Sequence, residues 1–308
     1  MKFKLLKDKF TRNEITKAEF IAEAHKLHQV LFEYSEIINS SDVQEIMISQ
    51  DGVSFVIGED LIRLFAPPGE ARVAPIEIMN FSSYEPEETQ VIDLLMEGTS
   101  QILDIGANIG WYSVRLAKRN RNAVIYAFEP MPISYEFLQK NIAANNLGNR
   151  VRSYNYGLSD VSGVFQYFLS PTGGTNASLK NVADAKDASR VTGLTLTIDE
   201  WVANQNVIPD FIKCDVEGAE LLVFRGAKNT LEACKPIVFS ELLRKWSQPF
   251  GYHPNDMLEY FRGFGYVCFA IGVNGSTLIT TITNETIETN YAFLHKDAHS
   301  SIILRLES

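Results

Sequence analysis

The chain has 308 residues and a mass of 34.6 kDa, room for one large α/β domain or two unequal ones. Its 45% hydrophobic and 21% charged residues exclude a mainly disordered chain, and a folded protein of this mass exposes ~13,000 Å². The 28 Lys and Arg against 38 Asp and Glu leave a net charge of -10, which argues against a generic nucleic-acid binder, because such proteins draw affinity from phosphate neutralisation.

The start, Met1-Lys2-Phe3-Lys4-Leu5-Leu6-Lys7-Asp8-Lys9, holds no apolar leader core. Thr16-Lys17-Ala18-Glu19 has capping-box spacing. Phe20, Ala24, Leu27, Leu31, Tyr34 and Ile38 follow as one apolar stripe on a helix of about six turns. That stripe suits packing onto the main body, or a partner surface such as a homodimer helix. Asp51-Gly52, between β-rich runs at 45–49 and 53–57, reads as a hairpin turn, and Pro67-Pro68-Gly69 ends the pattern. Residues 1–80 are expected to form a small N-terminal α+β extension and 81–308 the main domain.

Pro86 suits the first turn of a helix running toward Met96. Short apolar runs then recur at 101–105, 124–128, 151–156, 211–215, 237–241, 266–271 and 291–294. Helical stretches near 110–119, 133–146, 218–233 and 254–262 lie between several of them, which predicts a doubly wound, mostly parallel sheet. Lys118-Arg119-Asn120-Arg121 reads as a solvated helix end, where cations complement the dipole. An insert at 160–198 departs from the alternation, with strand-like runs at 165–169 and 194–198. Between them the polar loop Pro171-Thr172-Gly173-Gly174-Thr175-Asn176 suits a lid, an acceptor contact or a plain connection. Cys214, Cys234 and Cys268, odd in number and far apart, argue against a zinc ribbon and a disulfide scaffold. No run approaches the ~18 apolar residues of a transmembrane helix, so no membrane span and a cytoplasmic protein are expected.

Ligands of open α/β sheets bind beyond the carboxyl ends of the strands. There Asp104-Ile105-Gly106-Ala107-Asn108-Ile109-Gly110 leads from strand to helix, and Glu129 ends the next strand nineteen residues beyond Gly110. A carboxylate at that place accepts hydrogen bonds from the hydroxyls of an adenosine ribose. The dinucleotide fingerprint needs three glycines, but its places hold Gly106, Asn108 and Trp111, and a pyrophosphate would meet side chains. S-adenosylmethionine has no pyrophosphate, and its ammonium suits an acidic strand end such as Asp104. The methyl donor is therefore favoured over NAD.

These residues resemble the FkbM-type S-adenosylmethionine-dependent methyltransferases over roughly 81–296. The shared motifs are Tyr84-Glu85-Pro86, the glycine loop, Phe128-Glu129-Pro130, Leu158-Ser159-Asp160, Thr195-Leu196-Thr197-Ile198-Asp199 and Lys213-Cys214-Asp215-Val216-Glu217-Gly218-Ala219-Glu220. The resemblance implies a class I methyltransferase (Rossmann-like) fold, a seven-stranded sheet with a final antiparallel strand, and methyl transfer to a hydroxyl. It implies Asp104, Gly106, Asn108 and Gly110 around the methionine part and Glu129, with Pro130 beside it, on the ribose. Leu158, Ser159 and Asp160 then fall near the adenine, and Asp215 nearest the methyl group.

A hydroxyl acceptor must lose its proton, which calls for a base or a metal. Asp215, Glu217 and Glu241 are the candidate catalytic carboxylates, although helix capping explains Glu217 and Glu220 about as well. His253 is another candidate base, oxygen-rich carboxylates could instead hold Mg²⁺, and Trp111 and Tyr112 either line the pocket or pack helix on sheet. The expected acceptor is a saccharide, glycolipid or natural product. The alternatives are an RNA or protein methyltransferase, or a non-catalytic binding protein that retains the fold.

Overall fold

The computed structural model describes residues 2–170, 173–180, 189–273 and 275–307. The chain opens with helices α1 (Lys2–Thr11) and α2 (Lys17–Asn39), strands β1 (Val43–Ser49), β2 (Gly52–Ile57) and β3 (Ile62–Phe65), and helices α3 (Ala74–Phe81) and α4 (Pro86–Leu95). Strand β4 (Gln101–Ile105), α5 (Trp111–Arg119), β5 (Val124–Phe128), α6 (Pro132–Ala144) and β6 (Val151–Tyr154) follow. Then come the inserted strands β7 (Gly157–Leu158), β8 (Gly163–Ser170), β9 (Gly173–Ser178) and β10 (Ser189–Leu196), and α7 (Ile198–Gln205). The last part holds β11 (Phe211–Cys214), α8 (Glu220–Arg225), α9 (Lys228–Cys234), β12 (Ile237–Glu241) and α10 (Arg244–Ser247). It ends with α11 (Pro254–Arg262), β13 (Tyr266–Gly272), β14 (Gly275–Ile279), β15 (Asn290–His295) and α12 (Ser300–Leu306).

The central sheet runs β14-β13-β15-β12-β11-β4-β5-β6. From β12 to β6 the pairs are parallel, β15 is antiparallel to β12 and β13, and β14 is antiparallel to β13. Eight strands stand where seven were expected, because the chain turns back after Gly272 and adds β14 at the edge. The strand order reverses between β4 and β11, and that switch point is where a crevice opens in such folds.

Alternation along the strands feeds two cores. Ile102, Ile125 and Phe211 face α4, α5 and α6, while Leu103, Phe128 and Ile212 face Trp201, Phe224 and Phe261. Val43, Phe55, Leu64 and Ile78 belong to the first core, so the small β1–β3 sheet is packed into the body. Two asparagines of the α6 region clasp its edge. Asn141 accepts from Phe65 N at 2.6 Å and donates to Phe65 O and Ile109 O. Asn145 accepts from Arg63 N at 3.0 Å and returns a bond to Arg63 O at 2.7 Å. Side-chain amides thus stand in for a neighbouring strand, leaving less free edge on β3.

The Thr16–Glu19 capping box forms in both directions. The stripe that follows is only partly used: Ala24 is buried, Phe10 stacks on Phe20 and Phe3 meets it at a tilt, but Leu31 is 52% exposed. The α1–α2 hairpin therefore projects, in keeping with a total exposed area of 15846 Å², above the area expected for this mass. Lys118 and Arg119 brace the body instead of facing solvent alone, binding the Asp60 and Leu61 carbonyls and the Asp60 carboxylate.

The insert forms its own sheet in the order β7-β10-β8-β9. Gly173 to Asn176, expected in a loop, lie in strand β9, because β8 continues into an antiparallel partner; Pro171 and Thr172 lie outside the described residues. The helix expected over 218–233 is two helices that break at Gly226. Among the described residues no helix is long and apolar enough to cross a membrane.

Candidate active site

Beyond β4, β5 and β11 lies a cleft of about 960 Å³, open mouth included. Its floor is the loop after β4. Gly106 has φ +77°, and a Cβ there would lie 1.8 Å from the Asp215 carbonyl oxygen, so only glycine lets the two loops cross. Asn108 takes a left-handed φ of 50°, a conformation its short polar side chain tolerates. Gly110 does not border the cleft; a Cβ there would meet Leu138 Cδ1 at 2.6 Å, so its bareness lets α5 approach α6.

Glu129 directly follows β5 and is buried. Its carboxylate accepts from Asn108 N at 2.9 Å and Met131 N at 2.8 Å, which fixes it against the floor. Burial pushes its pKa up to about 7, against the pull of those two bonds. Phe128, Pro130, Gly157, Leu158 and Tyr167 continue this wall. Ser159 and Asp160 lie behind it: Ser159 N donates to Leu196 O at 2.9 Å, its hydroxyl to Asp160 at 3.2 Å, and neither residue borders the cleft.

Asp104 sits beneath the floor at 0% exposure. Ser113 Oγ donates to its Oδ2 at 2.5 Å, while Oδ1 has no hydrogen-bond partner among the described residues. Lys213 Nζ lies 3.9 Å from that Oδ1, 3.4 Å from Asp215 Oδ2 and 3.4 Å from the Gly106 carbonyl. Burial works against the ammonium, but Asp215, Asp104 and Glu85 outweigh it and hold its pKa above the usual lysine value. Asn108 Oδ1 and Trp111 Nε1 are also buried and unpartnered among the described residues, and both residues border the cleft.

Carboxylates gather at the far end. The strand pairing Cys214↔Ser240 sets Asp215 and Glu241 side by side where β11 and β12 end. Asp215 and Glu217 border the cleft. Glu220 does not: its Oε1 accepts from Val216 N at 3.1 Å and Gly218 N at 3.0 Å, and Tyr252 donates to its Oε2 at 3.1 Å. It thereby holds the loop in which Glu217 takes φ 57°. Burial, reinforced by Asp215 and its other acidic neighbours, pushes Glu217 up to about 9 and Glu241 up to about 10. His253 is exposed and caps α11, accepting from Asn255 N at 3.2 Å. Among the described residues no three His, Cys, Asp or Glu side chains are grouped to hold a metal.

Several residues beside the cleft, some of them within the shared motifs, were given no site role from the sequence. Tyr84 borders it and meets Trp111 edge-on at 5.9 Å. Glu85, at φ 45° and ψ 58°, turns its carboxylate to the Tyr112 hydroxyl, and burial pushes it up to about 7. Arg72, Val73 and Ala74 form a roof from outside the glycine-loop region. One signal was available for Lys213: a lysine in a run of otherwise buried strand residues needs an anionic partner.

A family model described as the methyltransferase FkbM domain matches residues 104–268. The chain belongs to this family. The hexuronic acid methyltransferase AglP of Haloferax volcanii is 29% identical over 155 residues, covering 49% of this chain and 61% of that protein. The methyltransferase sdnD of Sordaria araneosa is 28% identical over 181 residues, covering 50% and 68%. The 2-O-methyltransferase NoeI of Sinorhizobium fredii is 28% identical over 156 residues, covering 46% and 63%. The chain thus spans about three fifths to two thirds of the length of these relatives. A crystal structure of an FkbM methyltransferase from Methylobacillus flagellatus superposes with a TM-score of 0.41 at 18% identity, covering 63% of this chain and 43% of that one.

Proposed function

We propose that this FkbM-domain protein transfers a methyl group from S-adenosylmethionine to a hydroxyl oxygen of a saccharide, glycolipid or natural-product acceptor. The observation that carries the reading is the set of unpartnered buried atoms around the cleft. Asn108 Oδ1 on the cleft border is an acceptor for an ammonium and Trp111 Nε1 a donor for a carboxylate, while Asp104, buried beneath the floor, would favour the ammonium through its charge. An α-amino acid brings both groups. Glu129 would accept from the ribose hydroxyls, and Phe128, Leu158 and Tyr167 offer apolar surface for a base. The remaining expected contacts, Gly106, Gly110, Pro130, Ser159 and Asp160, are part of the same proposal, with Gly110, Ser159 and Asp160 acting through packing.

The bound donor supplies an electrophilic methyl group with a good leaving group, so the protein's task is orientation and proton removal. Asp215, Glu217 or Glu241 takes the acceptor's proton. Once ionised, Glu217 and Glu241, raised by burial and acidic neighbours, are stronger bases than ordinary carboxylates. The Tyr84 and Tyr112 phenols do not compete for the role, since burial and acidic neighbours keep them protonated. A saccharide acceptor is supported by relatives named for hexuronic acid and for a 2-O position.

The proposal also takes 81–308 as the methyltransferase domain and 1–80 as an extension that lends Arg72 to Ala74 to the cleft. It places the protein in the cytoplasm, in keeping with free thiols at Cys214, Cys234 and Cys268. It pairs two copies through the projecting hairpin, where Lys2, Lys4, Lys7 and Lys9 of α1 complement Glu33 and Glu36 of α2 beside exposed Leu31 and Phe32. Light scattering should report a dimer that Phe32→Glu reduces to a monomer.

Calorimetry tests the cofactor: S-adenosylhomocysteine should bind, and Glu129→Ala should weaken it by roughly ten- to a hundredfold, the value of one or two charge-assisted hydrogen bonds. Unchanged binding in that variant would sink the reading. Transfer of labelled methyl in cell extract separates acceptors, with label in glycan or lipid supporting the proposal and label only in RNA or protein overturning its acceptor half.

A further inference from the structure

We propose that the carboxylate cluster at the ends of β11 and β12 is a proton store, which gives up one proton when the cationic donor enters and regains one when the methyl group leaves. The inference rests on the cofactor reading above.

The geometry comes from strand register. Cys214 pairs with Ser240, so Asp215 and Glu241 leave neighbouring parallel strands together, roughly the 4.8 Å strand spacing apart at the backbone. Glu217 joins them across the tight loop that Glu220 holds. Glu85 closes the cluster from the start of α4, tied to Tyr112, whose ring lies 5.0 Å from the Lys213 ammonium. A separate observation marks the cluster's edge as short of positive charge: wholly buried Asp104 Oδ1 has no hydrogen-bond partner among the described residues and shares Lys213, 3.9 Å away, with Asp215, while the buried Asn108 Oδ1 on the cleft border is likewise without a partner.

Charge counting then gives the mechanism. Among the described residues two cations serve this end of the cleft. Lys213 is shared between Asp104 and Asp215, and Arg72 is bound to Glu77 at 3.3 Å while it faces Glu217. Against them stand Glu85, Asp104, Asp215, Glu217 and Glu241, with Glu88 nearby on α4. Glu220 adds a further acid, held by loop amides and Tyr252. The Tyr84, Tyr112 and Tyr252 phenols and the Cys214 thiol stay protonated and contribute no charge. Half-buried acids brought to neighbouring strand ends and outnumbering the cations beside them repel one another, so the empty cluster retains protons.

S-adenosylmethionine brings a sulfonium and an ammonium against one carboxylate, one net positive charge. Its entry lowers the cost of ionising the cluster, and a proton leaves. In the transfer the acceptor oxygen bonds to the methyl carbon, the sulfur recovers the electron pair of the broken S–C bond, and the acceptor's proton passes to the cluster. The neutral thioether product then rests on a cluster reprotonated as in the empty state. The site holds the cationic donor against ionised carboxylates and has no such hold on the product.

Calorimetry of the full chain at about pH 6.5, below the usual α-amino range of ~7.7–8.0, in two buffers of different ionisation enthalpy counts the protons released. S-adenosylmethionine is expected to release about one proton more than S-adenosylhomocysteine, and its affinity alone should rise with pH. Glu217→Gln and Glu241→Gln, checked for folding by circular dichroism, should each reduce that difference. Equal proton release by the two ligands, both bound, overturns the proton store and leaves the cofactor reading intact. Failure of both to bind overturns the cofactor reading and this inference together.

Discussion

Lys213 Nζ lies 3.4 Å from Asp215 Oδ2, an ion pair in which the cation is buried and the carboxylate faces the cleft. The same ammonium is the nearest compensation for buried Asp104, so Lys213 neutralises an acid beneath the floor while orienting one at its edge. Lys213→Met would strand the Asp104 charge. Removal of one partner of a buried pair costs about 3–5 kcal/mol, and chemical denaturation should show a loss of that order. An unchanged unfolding midpoint would mean that Asp104 is already neutral.

The two loop glycines should differ in their tolerance of a methyl group. At Gly106 a Cβ meets the Asp215 backbone at 1.8 Å, and backbone cannot swing aside. At Gly110 the obstacle is the end of the Leu138 side chain, at 2.6 Å. Both residues have positive φ, which adds about 1–2 kcal/mol of strain to either substitution. Gly106→Ala should abolish S-adenosylhomocysteine binding, whereas Gly110→Ala should lower thermal stability and keep measurable binding.

Asn141 and Asn145 can be tested as a surrogate strand. Asn141→Ala removes partners from Phe65 N, Phe65 O and Ile109 O at once. Leaving such groups unpaired should cost about 2–4 kcal/mol, measured by urea unfolding. Hydrogen exchange should accelerate at Phe65 and neighbouring β3 amides ahead of the central sheet.

Stability should depend on pH in a direction opposite to that of salt-bridged carboxylates. Glu85, Glu217 and Glu241 are raised from the ordinary 4.5 to about 7, 9 and 10, so the folded protein binds more protons than the unfolded chain. That contribution is fully present below the unfolded value and is lost as pH climbs from there through the folded values. The melting temperature of the ligand-free protein should fall between about pH 6 and pH 10, and Glu241→Gln should flatten that slope.

The parts of this molecule that announce themselves in sequence are the local ones. The Thr16 capping box, the strand ends at Asp104 and Glu129, and the positive-φ glycines each depend on a few consecutive residues. What escaped depends on contacts across long stretches of chain. The clasp of Asn141 on Phe65 spans 76 positions, and no periodicity encodes it. The eighth strand depends on a turn after Gly272, and β9 on pairing with β8, so a polar Gly-rich run that reads as a loop finds a ladder. In the site, Glu217 and Glu220 look alike in sequence, yet one borders the cleft and the other holds the loop.

The roof over the cleft has a consequence for how the family's members can be recombined. Arg72, Val73, Ala74 and Tyr84 precede residues 104–268, yet they border the same space as Gly106 and Glu129. A chimera that imports 104–268 from a relative would inherit that relative's floor and keep this chain's ceiling. Acceptor preference in such hybrids should then follow the upstream parent wherever the ceiling touches the acceptor, so two enzymes with interchangeable floors would still not be interchangeable catalysts.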